Sequence, residues 1–248
     1  MKNFLRRMLG LAMRLLLRWR SQPYPFPAGA AVIVAPHADD ETLGCGGLLA
    51  AKSVRGDTVH VVFFSDSAGS PESFPLAGQA ALRRREALAA LAVLGVLANQ
   101  VDFLDAPDGR LNRLSDGETA HVDAAFASLL QQFKPAEIFV PYLGGGSSEH
   151  DATVDRTRTA LALSGVPARV WEYPVWAWWD ARRLARQLSC PAQNFHLTLG
   201  ALRTRKCQAL ACHRSQLTAS PGTGEPDLPP VLAALCTGPT EFFFYWPA

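Results

Sequence analysis

Short apolar segments alternate with helical segments along most of the chain. The apolar segments are rich in β-branched and aromatic residues and too short for helices, and they cover residues 30–35, 59–65, 101–104, 137–142 and 169–176. The helical segments between them cover about residues 43–54, 77–95, 119–133 and 150–164. Such alternation is typical of an α/β fold with right-handed crossovers. It predicts a mostly parallel sheet with helices on both faces.

Composition favours a globular domain and argues against nucleic-acid binding. The 248 residues are 48% hydrophobic and 19% charged, so the chain can bury a sizeable core. The net charge of +2 is too small to indicate a nucleic-acid partner. The five cysteines show no Cys-x-x-Cys spacing and are expected to be free thiols in a reducing compartment, which favours a cytoplasmic location.

A histidine and three acidic residues follow the first predicted strand. The segment 37–41 reads His-Ala-Asp-Asp-Glu and precedes a glycine-rich helix start. Functional residues of α/β proteins collect at the carboxyl ends of parallel strands. Neighbouring carboxylates repel each other unless a cation or a proton-transfer role stabilises them. The alternative is an acidic cap on the following helix, but the strand and His37 favour a metal site.

The spacing within this segment suggests separate roles for its members. His37 and Asp40 can converge on one ion across a strand-to-helix turn, and a mixed nitrogen and oxygen set suits zinc. Asp39 would point elsewhere and could serve as the general base beside a metal-activated water. Glu41 falls in the first helical turn, where the helix dipole favours a carboxylate.

This segment resembles the opening signature of the PIG-L (LmbE-like) family of zinc-dependent N-deacetylases, Pro/Ala-His-Pro-Asp-Asp-Glu, with Ala38 in place of the proline. The second signature of the family, His-x-Asp-His, is similar to residues 147–150, which read Ser-Ser-Glu-His. The resemblance implies a Rossmann-like fold and a Zn²⁺ ion held by His37, Asp40 and His150. Ser147 stands where the family has a histidine that polarises the substrate or protonates the leaving amine.

The resemblance covers about residues 29–218 and implies further site residues. Arg83 begins a segment that is similar to the Arg-x-x-Glu helix of the family, and Asp108 lies in a segment that is similar to its Leu-x-x-Pro-Asp-Gly loop. Both are expected to bind substrate, with ion-paired structural roles as the alternative. Residues 206–216 resemble a late helix of the family. We expect Lys206, His213 and Gln216 to share one face of it, with His213 as a candidate catalytic acid.

Residues 1–22 are predicted to form a basic amphipathic helix ahead of a deacetylase domain at residues 23–248. Residues 1–20 carry six basic residues and no acidic residue. On a helix with ~100° per residue, the basic side chains occupy one half and most apolar side chains the other. The basic residues interrupt any apolar run before the ~20 residues that a membrane span requires. We expect peripheral contact with the inner face of a membrane; packing on the body of the protein or on a second subunit is the alternative.

Two further expectations concern the segments around this core. Residues 21–27 are predicted to be a stiff, proline-rich connector, and residues 218–239 a loop before a last strand at 241–246.

The predicted function is removal of an acetyl or related acyl group from an N-acetylated amino sugar. Linkage of this sugar to a lipid or a glycan is a further expectation. Asp39 and His213 are the predicted catalytic residues. One alternative is an amidase that cleaves a larger sugar-amide conjugate. Another is a non-catalytic sugar-binding protein, because Ser147 and Glu149 depart from the second signature. The sequence predicts no oligomeric state.

Overall fold

The computed structural model describes residues 1–69, 78–219 and 224–246. The strands in these residues are β1 (Gln22–Pro23), β2 (Ala31–Ala35), β3 (Val59–Ser65), β4 (Val101–Ala106), β5 (Glu137–Pro141), β6 (Arg169–Tyr173), β7 (Asn194–Thr198) and β8 (Thr240–Trp246). The α-helices are α1 (Lys2–Trp19), α2 (Asp40–Arg55), α3 (Gln79–Leu94), α4 (Asp116–Phe133), α5 (Ser148–Ser164), α6 (Leu202–Leu210), α7 (Arg214–Leu217) and α8 (Pro230–Cys236). Short 3₁₀ helices include Trp176–Trp178 and Ala181–Ser189.

The eight described strands form one sheet with the order β1-β7-β8-β6-β5-β2-β3-β4. β2 lies between β5 and β3 in the parallel part, where Ile33 is opposite both Phe139 and Val61. β8 runs antiparallel to its neighbours β6 and β7. The predicted α/β architecture with a mostly parallel sheet is therefore confirmed. The parallel strands β2 to β6 end at the same side of the sheet, which we call the carboxyl edge.

Helices cover both faces of the sheet, as predicted. On one face Val32 and Val34 pack with Phe126 from α4. On the other face Ile33 packs with residues of α2 and α3, such as Leu48 and Leu91. Successive side chains of a strand point to opposite faces, so all five residues of β2 are buried.

Three predicted boundaries differ from the structure. The predicted connector 21–27 contains β1, whose two residues pair with β7 at the sheet margin, where a proline is tolerated. The predicted loop 218–239 contains α8, which begins at Pro230 and buries Leu232 and Leu235. The predicted late helix is two helices, because the chain leaves the helical conformation between α6 and α7 at His213.

Helix α1 packs against α8 and the 3₁₀ helix Ala181–Ser189 through a narrow stripe. Its buried residues are Gly10, Arg14 and Leu17. The Arg14 guanidinium donates to the carbonyl oxygens of Leu235, at 2.8 Å, and of Thr240. One face of α1 therefore packs on the body of the protein, which the sequence analysis gave as the alternative to membrane contact. None of the described helices is long and apolar enough to cross a membrane.

Candidate functional site

The residues of the predicted site lie at the carboxyl edge. His37 and Asp39 follow β2, and Asp40 begins α2. Asp108 follows β4, and His150 lies in the first turn of α5 after β5. The parallel sheet thus brings together residues that are 110 positions apart in the sequence.

Glycines allow α2 to pack closely against the sheet and its surroundings. A Cβ atom on Gly44 would lie 2.1 Å from the ring of Tyr173, and one on Gly47 would lie 2.2 Å from Leu199. Tyr173 in turn donates its hydroxyl to the carbonyl oxygen of Val34 at 2.7 Å. The glycine-rich start of α2 therefore serves close packing, which fixes the helix that carries Asp40.

His37, Asp40 and His150 converge on one point. Oδ2 of Asp40 lies 3.2 Å from Nδ1 of His37 and 3.2 Å from Nε2 of His150. The three candidate ligand atoms all lie within 4.8 Å of one another. Asp40 and His150 are almost fully buried. Although Nε2 of His150 is close to Oδ2 of Asp40, it makes no hydrogen bond to any of the described residues. A buried imidazole nitrogen that faces a carboxylate without a hydrogen bond fits a metal ligand, so this set could hold a divalent ion.

The charges around His37 suit a bound cation. Burial alone would lower the pKa of His37, but the carboxylates of Asp108, Asp40 and Glu149 raise it well above its ordinary value. Burial alone would raise the pKa of Asp40, but the His150 and His37 imidazoles hold it well below its usual range. Several carboxylates around one imidazole stabilise a positive charge, which a bound metal ion also supplies.

Glu149 and Asp108 orient the ring of His37. Nε2 of His37 lies 2.8 Å from Oε2 of Glu149 and 3.2 Å from Oδ1 of Asp108. The carboxylates are held by backbone N–H groups, that of Leu111 for Glu149 and that of Gly69 for Asp108. A carboxylate that accepts from one ring nitrogen leaves the other nitrogen free to bind a metal. In the sequence, Glu149 is visible only as the neighbour of His150 and as a departure from the family signature; nothing there indicates its contact with His37.

Asp39 lies directly before α2 and is almost fully buried. Its backbone φ of 153° lies outside the region that side chains other than glycine usually adopt. Its N–H donates to Oε2 of Glu41 at 3.0 Å, which supports this conformation. Burial, together with the charges of Asp40 and Glu41, raises the pKa of Asp39 well above its usual range. A carboxylate with a raised pKa is a stronger base in its ionised form, as a general base requires.

His213 contacts the first turn of α2, the helix that begins directly after Asp39. Its Nε2 is 3.4 Å from the hydroxyl oxygen of Thr42 and 3.5 Å from Oε1 of Glu41. His213 and Glu41 are fully buried. The prediction that Lys206, His213 and Gln216 share one helix face is wrong, because the helix is interrupted at His213. The break turns the His213 ring towards Thr42 and lets Gln216 donate to the carbonyl oxygen of Ala38.

Arg83 and Asp108 interact with each other and border the site. Burial alone would raise the pKa of Asp108, but hydrogen bonds from His37 and Gly69 and the charge of Arg83 lower it to about 2. The Arg83 guanidinium also forms an ion pair with Asp227. Its Nε is buried without a hydrogen-bond partner in the described part of the chain. Arg83 is thus partly ion-paired and retains a buried donor.

Ser147 caps the helix that carries His150. Its side-chain oxygen accepts from the N–H of His150 at 3.4 Å, so it satisfies a free N–H in the first turn of α5. This role differs from the one that the family assigns to a histidine at this position.

Comparisons with known structures show the same fold. N,N'-diacetylchitobiose deacetylase from Pyrococcus horikoshii is 21% identical with a TM-score of 0.60, and the match covers 82% of this chain and 76% of that one. The zinc-inhibited form of teicoplanin deacetylase is 20% identical with a TM-score of 0.55, covering 76% and 85%. The 4-carboxy-2-hydroxymuconate hydratase from Pseudomonas putida is 16% identical with a TM-score of 0.62, covering 88% and 97%. One fold therefore carries different reactions in these neighbours.

The family is shown by the sequence. No curated protein matches the whole sequence closely enough to count as a relative. The family profile described as GlcNAc-PI de-N-acetylase, PIG-L, matches residues 32–161, which is just over half of the chain and includes both signatures and the ligand set. The predicted enzyme class agrees with this family of de-N-acetylases. The chain therefore belongs to the PIG-L family.

Proposed function

We propose that the protein is a zinc-dependent hydrolase that removes an acetyl or closely related acyl group from an N-acetylated amino sugar. The observation that carries this proposal is the convergence of His37, Asp40 and His150 with the buried carboxylate of Asp39 beside them. The family description names GlcNAc-PI, and two structural neighbours are named as deacetylases of diacetylchitobiose and teicoplanin. These names support a sugar that carries an N-acetyl group.

Two imidazoles and one carboxylate favour zinc over magnesium or calcium, which prefer oxygen ligands only. When bound by His37, Asp40 and His150, zinc would lower the pKa of a water molecule and stabilise negative charge on the amide oxygen. Glu149 and Asp108 would hold the His37 ring in the orientation that binding requires.

Asp39 is the proposed general base. Its raised pKa suits a carboxylate that takes a proton from the attacking water. The water oxygen forms a bond to the amide carbon, the carbon–nitrogen bond breaks, and acetate and a free amine are released. Ser147 caps α5 and does not take the place of a histidine acid, so Asp39 is proposed to pass the proton that it took from water to the leaving amine.

The remaining residues support this reaction from the border of the site. Arg83 and Asp108 are proposed to bind sugar hydroxyls or an anionic group of the substrate. His213 is the candidate catalytic acid, but it is fully buried against Glu41 and Thr42. We therefore propose that it positions Asp39 through Glu41, whose side chain accepts from the Asp39 N–H. The substrate is proposed to be linked to a lipid or a glycan, with the enzyme held peripherally at the cytoplasmic face of a membrane through residues 1–20.

Acetate release tests the proposal. We expect the purified protein to release acetate from at least one member of a panel of free, nucleotide-linked and lipid-linked N-acetylglucosamine compounds. Chelation should abolish the release, and added zinc should restore it. Cleavage of larger acyl conjugates alone would identify an amidase. Sugar binding without hydrolysis in the zinc-loaded protein would identify a non-catalytic member of the family.

A further inference from the structure

We propose that the outward face of α1 is a membrane-binding surface that inserts into an anionic lipid monolayer. The opposite face fixes the helix to the body beside the carboxyl edge. This inference deepens the peripheral contact named above, because it assigns the lipid-facing residues and the orientation in which the enzyme binds.

The outward face of α1 is a continuous apolar surface. Phe4, Leu15 and Trp19 are 70%, 67% and 88% exposed. The other exposed large apolar side chains of the helix are Leu5, Met8, Leu9, Leu11 and Leu16. At ~100° per residue these eight side chains occupy one half of the helix, and the buried stripe of Gly10, Arg14 and Leu17 occupies the other half. The helix therefore presents its apolar half to the outside, not to the core, and such a patch marks an interaction surface.

Basic side chains border this apolar face on both sides. Lys2 and Arg20 lie along one margin, and Arg7 and Arg18 lie along the other. All four residues are exposed. Long basic side chains at the margins of an apolar helix face can extend towards lipid phosphates while their stems stay in the apolar layer. The charge of this surface thus complements an anionic membrane.

The same charges argue against a second copy of the chain as the occupant. Two outward faces in contact would bring four basic side chains from each copy to the margins of one interface. Residues 1–20 contain no acidic side chain to pair with them. Like charges across an interface are unfavourable. Anionic lipids provide both the apolar layer and the counter-charge.

Specific contacts hold the inward face in place. A Cβ atom on Gly10 would lie 2.8 Å from the side chain of Leu235, which shows how closely α1 approaches α8. The Arg14 guanidinium lies 4.9 Å from the centre of the Trp178 ring, and that of Arg6 lies 4.0 Å from the centre of the Trp179 ring. α1 is thus a fixed part of the body and not a tethered anchor.

A chain of contacts links α1 to the candidate site. α1 packs on the 3₁₀ helix Ala181–Ser189, in which Arg183 and Arg186 donate to the carbonyl oxygens of Gly144 and Leu143 at 3.3 and 3.0 Å. That loop leads directly into α5 and His150. Lipid binding by α1 would therefore hold the carboxyl edge at a defined orientation near the bilayer. This orientation suits a sugar attached to a lipid, a point that rests on the proposed function.

Vesicle binding tests the surface without using activity. The full chain should co-sediment with vesicles of phosphatidylcholine and phosphatidylglycerol, and much less with phosphatidylcholine alone. Binding should weaken as salt is raised, because exposed charges are screened beyond about 8–10 Å. Leu15→Glu and Phe4→Glu should each weaken binding by roughly tenfold or more, since they place a charge in the apolar layer. Leu163→Glu, at an exposed apolar position on α5, is the matched control and should bind like the wild type.

Two outcomes would overturn the inference. The first is a full chain that ignores anionic vesicles or binds equally well with Leu15→Glu. The second is a stable dimer, seen by sedimentation, that Leu15→Glu dissociates, since the outward face would then be covered by a second copy. Acetate release from a soluble substrate by Leu15→Glu is measured separately. Weak vesicle binding by Leu15→Glu with normal acetate release supports the outward face of α1 as the membrane-binding surface. Vesicle binding by a wild-type protein that releases no acetate would contradict only the proposed function.

Discussion

Nε2 of His37 lies 2.8 Å from Oε2 of Glu149. This contact favours a proton on Nε2, and Nδ1 faces Asp40, 3.2 Å away. A ligand histidine whose second nitrogen donates to a carboxylate is more basic and better oriented than a free imidazole. The glutamate that departs from the family signature therefore supports the proposed metal site and does not argue against it.

Removal of the Glu149 charge should weaken metal binding. We expect Glu149→Gln to lower zinc affinity by about tenfold to a hundredfold, the usual effect of losing such an outer carboxylate. Competition with a chromophoric chelator measures the affinity. Asp155→Asn, an exposed position on the same helix, is the matched control. Equal zinc affinity in wild type and Glu149→Gln would contradict the role of this contact.

His150 should be required for stoichiometric metal. We expect His150→Ala to lose bound zinc, because the site keeps only two of its three protein ligands. Elemental analysis after dialysis gives the zinc content. His121→Ala, at an exposed histidine on α4, should keep one zinc per chain. Full zinc content in His150→Ala would show that the ligand set is wrong.

Substitution of Asp39 should slow the reaction without reducing the zinc content. Asp39→Asn preserves the shape of the side chain but cannot accept the proton from water. We expect kcat to fall by about 10²- to 10⁴-fold with zinc content unchanged. Steady-state acetate release and elemental analysis on the same sample separate the two effects. Near wild-type kcat in this variant would place the base elsewhere.

Zinc affinity should increase with pH across the neutral range. Although burial alone would lower it, the carboxylates of Asp108, Asp40 and Glu149 raise the pKa of His37 well above its ordinary value. His37 is then protonated in the metal-free protein at neutral pH, and it must lose this proton before Nδ1 can bind zinc. The apparent affinity should rise about tenfold per pH unit below that pKa, with about one proton released. Calorimetry in buffers of different ionisation enthalpy measures the release, and pH-independent affinity between pH 6.5 and 8 would contradict it.

Arg14 should contribute to global stability. Arg14→Ala removes two hydrogen bonds from a buried guanidinium and leaves the carbonyl oxygens of Leu235 and Thr240 without their donor. We expect the free energy of unfolding to fall by about 2–4 kcal/mol. Arg7→Ala, at an exposed position on the same helix, should change it by less than about 0.5 kcal/mol. Urea titration measures both variants. Equal stability of Arg14→Ala and wild type would show that α1 is not held by this contact.

The sequence was sufficient for the parallel part of the fold. β2, β3 and β5 are buried on both faces and therefore appear in the sequence as continuous apolar runs. The order of the strands was not accessible, because it depends on contacts such as the antiparallel placement of β8 between β6 and β7. The break at His213 was also not predictable, since no glycine or proline marks it. It depends on buried partners, Glu41 and Thr42, that are distant in sequence.

The candidate site, too, has features that the sequence predicts and features that depend on contacts between distant residues. Residue types and spacing were enough to group His37, Asp39 and Asp40, because all three follow one strand. The contact of Glu149 with His37 depends on how α5 begins relative to β2. The helical period separated the apolar and basic halves of α1, yet it gave no indication that Gly10 and Arg14 would form the docked stripe. Docking is decided by the shape of α8 and by the carbonyl oxygens of Leu235 and Thr240.

Arg14 and the carbonyl oxygen of Leu235 are separated by 221 positions in the sequence. At a synthesis rate of about 5–20 residues per second, the ribosome needs roughly 11 to 44 seconds to add the docking partner after Arg14 has been made. During that interval the carbonyl oxygens that accept from the Arg14 guanidinium have not been made, and the apolar half of α1 is exposed. Newly made α1 is therefore available to whatever apolar surface lies near the ribosome before β8, the last strand of the sheet, has been made.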